Sequence, residues 1–311
     1  MLPVVPYSHV MDFRSQSEYA LFRLVHFGLR PFPLSWNTAI LRLAARMAGG
    51  VLGVRRKVVD TQLRNVFPAA TAKDLAGMAA KVYDQLGVTV AEVLFADPAA
   101  LARTVTVDPG WDALEQALAD GRGAIAVTGH IGNFELGGRV LAGRFPVLDV
   151  VKTQRNAPFD RFLQQQRLRF GIRTVPVEHS GRAVLAHLRA GGLVTLFMDQ
   201  DAGKTGFLTD FLGHPASTWP GAAKISIRTG CPVVPIAILR NLDRTHTLHV
   251  GNILSPRGMT DTEEDIKIFT GLISAAVESF IWERPEQWFW VHRRWKGAAE
   301  ARGADESIPG N

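Results

Sequence analysis

Apolar and polar positions along this chain fall into blocks whose period changes, and each block predicts an element. Residues 1 to about 14 carry no regular pattern. Ser17 to Leu29 is apolar and aromatic with sparse charge, and Pro31 and Pro33 end it. A second helix is predicted from Ser35 to about Gly49, with apolar Trp36, Ile40, Leu41, Leu43 and Met47 and basic Arg42 and Arg46. Val51 to Lys57 continues the apolar-then-basic character. Such helices suit a membrane interface, and they equally suit a helical layer packed on a core. Thr71-x-x-Asp74 resembles a capping box and opens a long helix to about Phe95, which Asp97-Pro98 breaks.

Beyond Pro98 the pattern alternates. Short apolar runs predict strands at 103–107, 124–128, 147–151, 173–177, 193–198, 231–239 and 247–250. Helical patterns lie between them at 111–118, 134–142, 159–170, from Ser180 to Gly191-Gly192, and at 219–228, with a last long helix at 262–282. Thr218 reads as the N-cap of the helix from Trp219. This alternation predicts an α/β fold: a central, mostly parallel (mixed) sheet flanked by helices, with the N-terminal amphipathic helical segment attached. The expected organisation is an N-terminal segment over 1–60, a main domain over 61–297 and a flexible tail over 298–311.

Composition narrows the function classes. A 311-residue chain that is 47% hydrophobic builds a core. The single Cys231, in an apolar run, excludes a disulfide framework and reads as an inert buried thiol. The net charge of +6 favours anionic lipid, an acidic carrier protein or nucleic acid. The basic residues are dispersed without a recognition motif, which argues against nucleic acid. No run approaches a membrane-spanning length free of charge. The first residues lack a basic region before an apolar core, so a signal peptide is not expected.

The chemistry concentrates after the strand at Ala124–Thr128, where Gly129-His130-Ile131-Gly132-Asn133-Phe134-Glu135 follows. Five positions on a helix turn about 140° past a shared face. His130 and Glu135 therefore meet only if the histidine is on a loop and the glutamate in the first turn after it, with Asn133 as N-cap. A carboxylate beside an imidazole fixes its tautomer and stabilises its protonated form. The alternative is a histidine packed under a turn beside a solvated glutamate. Two other strand ends carry polar groups, at Lys152-Thr-Gln-Arg155 with the helix bearing Arg161, Arg167 and Arg169, and at Met198-Asp199-Gln200-Asp201. The arginines suit a phosphate or an oxyanion, or line a solvated helix face, the reading preferred for Arg161. Asp199 or Asp201 is a candidate to orient His130, to pair an arginine, or to hold a divalent ion, for which no third ligand is evident. The apolar loop 206–221 reads as a wall over an acyl chain or as a buried crossover.

Several motifs fail their context tests. Gly121-Arg-Gly-Ala-Ile-Ala126 precedes its strand instead of following it, so it is not a dinucleotide fingerprint. Gly203-Lys-Thr205 lacks the first P-loop glycine. No G-x-S-x-G, H-E-x-x-H or paired C-x-x-C occurs, so neither a hydrolase nucleophile elbow nor a zinc site is expected.

Thr128-Gly-His-Ile-Gly-Asn-Phe-Glu135 resembles the H-x4-D/E motif of the lysophospholipid acyltransferase superfamily, in the variant of the late acyltransferases of lipid A biosynthesis. Further blocks agree in order. Leu63-Arg-Asn-Val-Phe-Pro68 resembles an N-L-x-x-x-F-P block, and 152–171 an arginine block in which Arg167 takes the essential position. Asp199-Gln200 with Phe211-Leu-Gly-His-Pro-Ala-Ser-Thr218 resembles D-Q…F-F-G-x-P-A-x-T, and 285–296 resembles P-E-Q-Y-x-W-x-H-R-R-F-K. The likeness covers about residues 35 to 297. Mycobacterial phosphatidylinositol mannoside acyltransferases share these motifs. Two features differ: the N-terminal segment is interrupted by charges where lipid A members carry a spanning helix, and Phe-Leu-Gly replaces Phe-Phe-Gly.

The resemblance implies a glycerol-phosphate-acyltransferase-like fold and an O-acyltransferase. The donor is an acyl thioester on acyl carrier protein or coenzyme A, a substrate, so no cofactor is expected. The acceptor is a hydroxyl of a membrane glycolipid or lipid A precursor, reached at the cytoplasmic face of the inner membrane. His130 becomes the general base and Glu135 its partner. Arg167, with Arg169, Arg155 and Lys152, binds phosphate or oxyanion, while Asn133, Asp199, Asp201 and Thr218 support the site. The rival is a non-catalytic lipid- or carrier-binding protein on the same fold.

Overall fold

The structure, a computed structural model, describes residues 13–301. Four helices come first: α1 (Phe13–Leu29), α2 (Leu34–Gly50), α3 (Arg56–Val66) and α4 (Ala72–Phe95). Phe13 and Arg14 belong to α1, and the rest of the stretch expected to be irregular lies outside the described residues. The capping box forms as its residues predict. The Thr71 hydroxyl accepts from the Asp74 amide, and the Asp74 carboxylate accepts from the Thr71 amide.

α2 packs along α4, and Gly87 explains how closely. A Cβ there would lie 2.6 Å from the Leu41 carbonyl oxygen. Arg42 and Arg46, the basic positions of α2, both pair with Asp84 of α4. The opposite side of α2 stays apolar and uncovered, with Trp36 60% and Leu43 61% exposed. α2 is thus a layer on the core that also presents an exposed apolar stripe. Among the described residues no helix is long and apolar enough to cross a membrane.

The chain then alternates as expected: α5 (Pro98–Ala102), β1 (Val105–Val107), α6 (Gly110–Ala119), β2 (Ala124–Thr128), α7 (Phe134–Ala142), β3 (Val147–Val151), α8 (Ala157–Arg169), β4 (Arg173–Pro176), α9 (Ser180–Arg189) and β5 (Leu193–Phe197). After these come β6 (Phe207–Phe211), β7 (His214–Thr218), α10 (Gly221–Thr229), β8 (Val233–Arg240), β9 (His246–Val250), α11 (Glu263–Glu283) and α12 (Lys296–Ala301). Seven strands form one sheet in the order β1-β9-β8-β2-β5-β3-β4, and every pairing is parallel except β8 with β9. β2 and β5 bury both faces, as strands covered by helices on each side must. One face packs Val127, Val194 and Leu196 against Phe269, Ile273 and Val277 of α11. Each such side chain contributes about 1.5–3 kcal/mol of burial. α7 covers the other face.

The segment 206–221 is neither a loop nor a crossover. It is the antiparallel hairpin β6–β7, turning at Leu212 and Gly213, both with positive φ. Its apolar content serves packing, since Phe211 and Leu212 are buried with Trp288 and Trp290. Thr218 ends β7 and does not cap a helix; α10 begins at Gly221 after Pro220, without a side-chain cap. Lys296–Ala301 is helical, and the remainder of the expected tail lies outside the described residues. Cys231 is buried.

Candidate active site

Strand register builds the site. Thr128 of β2 pairs with Phe197 of β5, so the chain leaves both strands at the same level. Two residues further along each are His130 and Asp199. The crevice beyond the carboxyl ends of adjacent parallel strands is where such sheets bind ligands.

The Asp199 carboxylate accepts from His130 Nδ1 at 2.9 Å with one oxygen. Its other oxygen accepts the His130 backbone amide at 2.7 Å and Trp288 Nε1 at 2.8 Å. An ionised carboxylate only accepts, so the imidazole proton sits on Nδ1 and Nε2 keeps its lone pair. Complete burial pushes the Asp199 carboxyl up. The charge of His130 and the three hydrogen bonds outweigh that and hold it at about 2. Phe134, Phe197 and Phe289 surround the ring at 5.1, 4.5 and 5.9 Å between centroids. The His130 side chain remains 23% exposed, which leaves a way in for a small group.

The expected pairing of His130 with Glu135 is not what forms. Asn133 does cap α7, its Oδ1 accepting from the Leu136 amide at 3.1 Å. The first turn then carries Glu135 towards α8, where Arg167 grips both of its oxygens, Nε at 3.2 Å among them. Burial lowers the Arg167 pKa, but Glu135 more than compensates, and the guanidinium is firmly charged. Asp199, which follows the neighbouring strand, supplies the imidazole's acid instead.

Glu135 and Arg167 line a cavity of about 30 Å³ beneath α7, room for about two water molecules. Asp149 and Thr195, register partners on β3 and β5, lie in its floor. Burial raises the Asp149 carboxyl to about 6 despite the nearby Arg167 charge. A second cavity of similar size touches His130 itself and runs between α4 and residues 286–289, with Gln85 and Thr89 on its wall. Neither cavity is lined by a residue of 206–221, so the hairpin is not a wall of either.

The other expected residues stand elsewhere. Lys152, Arg155 and Arg169 are exposed, outside both cavities. Asn133 is 1% exposed, with its amide spent on Glu92 and Leu136, so it serves as a cap and not a substrate contact. Asp201 faces the C-terminal segment: its amide donates to His292 Nε2, and its Oδ1 accepts from the Gly297 amide. Thr218 accepts from Arg294, which is fully buried over the Phe211 face and also donates to the Ser217 and Gln200 carbonyls. Burial pulls Arg294 down to about 10, still cationic at neutral pH. Hairpin, arginine and C-terminal segment together brace the 199–201 turn. Among the described residues no group of three metal-ligating acids, histidines or cysteines occurs.

An imidazole held by a buried acid, beside a pocket that bears Arg167 at the end of a mixed α/β sheet, is equipped for general-base chemistry, and the proteins this chain resembles make it an O-acyltransferase. The chain belongs to the bacterial lipid A biosynthesis acyltransferase family, whose model matches residues 11–297. It is 26% identical to the lipid A biosynthesis palmitoleoyltransferase of Escherichia coli over 80% of this chain and 81% of that one. It is 25% identical to the lipid A biosynthesis lauroyltransferase of the same organism, over 79% and 80%. A phosphatidylinositol mannoside acyltransferase of Mycobacterium tuberculosis is 30% identical over 40% of this chain and 42% of its own.

Trp288 and Phe289 were not singled out from the sequence as site residues, although they lie within the 285–296 block. Glu92 and Arg240 were missed altogether, for they stand in no motif and meet only through the fold.

Proposed function

We propose that this protein transfers a fatty acyl chain from an acyl thioester to a hydroxyl of a membrane glycolipid, with His130 as general base and Asp199 as the acid that orients it. His130 Nε2 takes the hydroxyl proton while the oxygen attacks the thioester carbonyl. The tetrahedral adduct then expels the thiol, which leaves with the proton returned by the imidazolium. No covalent acyl-enzyme is required, because the thioester arrives activated. The observation that carries this reading is the 2.9 Å His130–Asp199 hydrogen bond, which leaves Nε2 basic. Arg167, fixed by Glu135, supplies charge for the oxyanion or for an acceptor phosphate.

The relatives' names support a glycolipid acceptor, of lipid A precursor or phosphatidylinositol mannoside type. The donor is carried by acyl carrier protein or coenzyme A. The apolar stripe of α2, together with exposed Leu21, Leu24 and Phe27 of α1, lies in the plane of the bilayer surface and keeps the protein peripheral. Docking is on the cytoplasmic face of the inner membrane.

The test is a reconstitution with purified protein, radiolabelled acyl thioester on either carrier, and vesicles containing candidate glycolipids. Acyl ester formation that His130→Ala abolishes supports the proposal. Retention of more than one per cent of the rate in that variant contradicts it, and lipid binding without turnover by the wild type points to a binding protein.

A further inference from the structure

One buried ionic cluster takes no part in the chemistry above. Glu92 of α4 and Arg240 at the end of β8 lie 148 positions apart and form a bidentate pair, Nε to Oε1 at 2.8 Å and an Nη to Oε2 at 2.5 Å. Their side chains are 7% and 5% exposed. Burial raises the Glu92 carboxyl, but the His246 ring, its Nε2 3.4 Å away, and the hydrogen-bonded Arg240 guanidinium outweigh it and hold it at about 2. A buried ion pair is weak evidence of a stabilising role, since an apolar replacement often serves as well. The partners beyond the pair are more telling.

Glu92 Oε2 also accepts from Asn133 Nδ2 at 2.8 Å. That bond decides which way the Asn133 amide faces, and hence that Oδ1 caps α7. Arg240 donates to the Thr89 hydroxyl at 3.2 Å, and Thr89 donates to the Gly132 carbonyl at 3.2 Å. The Gln287 side chain takes both main-chain groups of Arg240, while its own carbonyl accepts the Gly132 amide at 3.1 Å. The turn from His130 to Asn133 is thus tied on one side by Asp199 and on the other by groups that Glu92 and Arg240 set in place. Gly132 has little room of its own: its φ is +58°, and a Cβ would fall 1.9 Å from the Ile238 carbonyl oxygen.

We infer that the Glu92–Arg240 pair is a positioning unit for the His130 turn, acting through Asn133 and Thr89. The inference rests on the proposed role of His130. A misplacement of about 1 Å costs about 10²-fold in rate. Glu92→Gln puts an amide donor against the Asn133 amide donor or the guanidinium, and the cap turns over. Asn133→Asp places two carboxylates in contact. The double change Glu92→Gln with Asn133→Asp turns the contact at 133 round, amide donor to carboxylate, and keeps the charge; one Arg240 Nη then loses its acceptor, so the recovery is partial, and aspartate is a good N-cap.

The experiment compares the three variants with wild type and His130→Ala in the acyl-transfer assay. Thermal unfolding and the low-field NMR proton of the His130 Nδ1–H···Asp199 bond are recorded alongside. Each single variant is expected to lose about 10²-fold in kcat with KM for the donor within about threefold, and to shift the His130 proton. The double variant is expected to recover at least tenfold over either single and to return that proton towards its wild-type position. Thr89→Val leaves the ion pair intact and is expected to lower kcat about tenfold without loss of folded protein; it carries the test if Glu92→Gln fails to fold. Unchanged kcat in a folded Glu92→Gln or Thr89→Val, or a double variant no better than the singles, overturns the inference. Activity in His130→Ala would instead overturn the catalytic reading on which it rests.

Discussion

Replacing Asp199 by asparagine separates the acid's role from its shape. The asparagine Oδ1 can still accept from the His130 amide and Trp288, at the place of the carboxylate oxygen that takes both. Its amide then faces His130 Nδ1 as a donor. The ring must present a lone pair there, so the proton moves to Nε2 and the base is lost. Losing a general base costs about 10² to 10⁴-fold in rate, and kcat of the Asp199→Asn enzyme is expected to fall by that factor with KM little changed. Stability responds separately. The carboxyl is held at about 2 against an ordinary 3.8, which corresponds to about 2 kcal/mol of native-state preference for the ionised form. Because this pKa is depressed, that stabilisation is present above about pH 4 and is lost as the pH falls towards 2. The variant should therefore unfold more easily than wild type at pH 7, and the difference should shrink as the pH falls towards 2. The assay is steady-state acyl transfer at several donor concentrations, with urea unfolding at pH 7 and at the lowest workable pH. An Asp199→Asn enzyme with more than a tenth of wild-type kcat would refute the orienting role.

Other consequences can be checked in the same way. Asp149 is raised by burial to about 6, so its neutral form is favoured in the native state; the associated stability is full below about pH 4 and lost as the pH rises through 6. Asp149→Asn should raise the unfolding free energy by up to about 3 kcal/mol at pH 8 and change it little at pH 4, as denaturant titrations will show. Gly132→Ala forces either a positive φ on alanine or a shift of β8, and should cost at least about 2 kcal/mol and most of the activity. Trp36→Ser with Leu43→Ser removes the centre of the α2 stripe, and should weaken co-sedimentation with anionic vesicles at least tenfold while leaving the fold unchanged.

Much of this architecture was legible because parallel strands buried on both faces write continuous apolar runs, and helix ends write caps. Ala124–Thr128 and Leu193–Phe197 announced themselves as strands, and Thr71-x-x-Asp74 announced its helix. The hairpin 207–218 was misread because its turn, Leu212-Gly213, uses a leucine in the left-handed region, a residue that signals no turn. His130 was found from local spacing, and the same local spacing suggested Glu135 as its partner. Asp199 or Asp201 was the other candidate to orient the imidazole, and strand adjacency chooses Asp199: β5 lies beside β2 in the sheet although two strands intervene in sequence. The arginines show the same limit. The resemblance had already set Arg167 apart, and the fold turns it to Glu135, while Lys152, Arg155 and Arg169, expected beside it, face solvent. Long-range pairs such as Glu92–Arg240 leave no trace in any window of sequence.

The most direct measurement is a mass-spectrometric lipid profile of cells lacking the gene, complemented with wild type, His130→Ala or Asp199→Asn. The account predicts one glycolipid class that loses a single acyl chain in the deletion, regains it with wild type, and does not regain it with either variant. An unchanged lipid profile in the native host, or full restoration by His130→Ala, would contradict it.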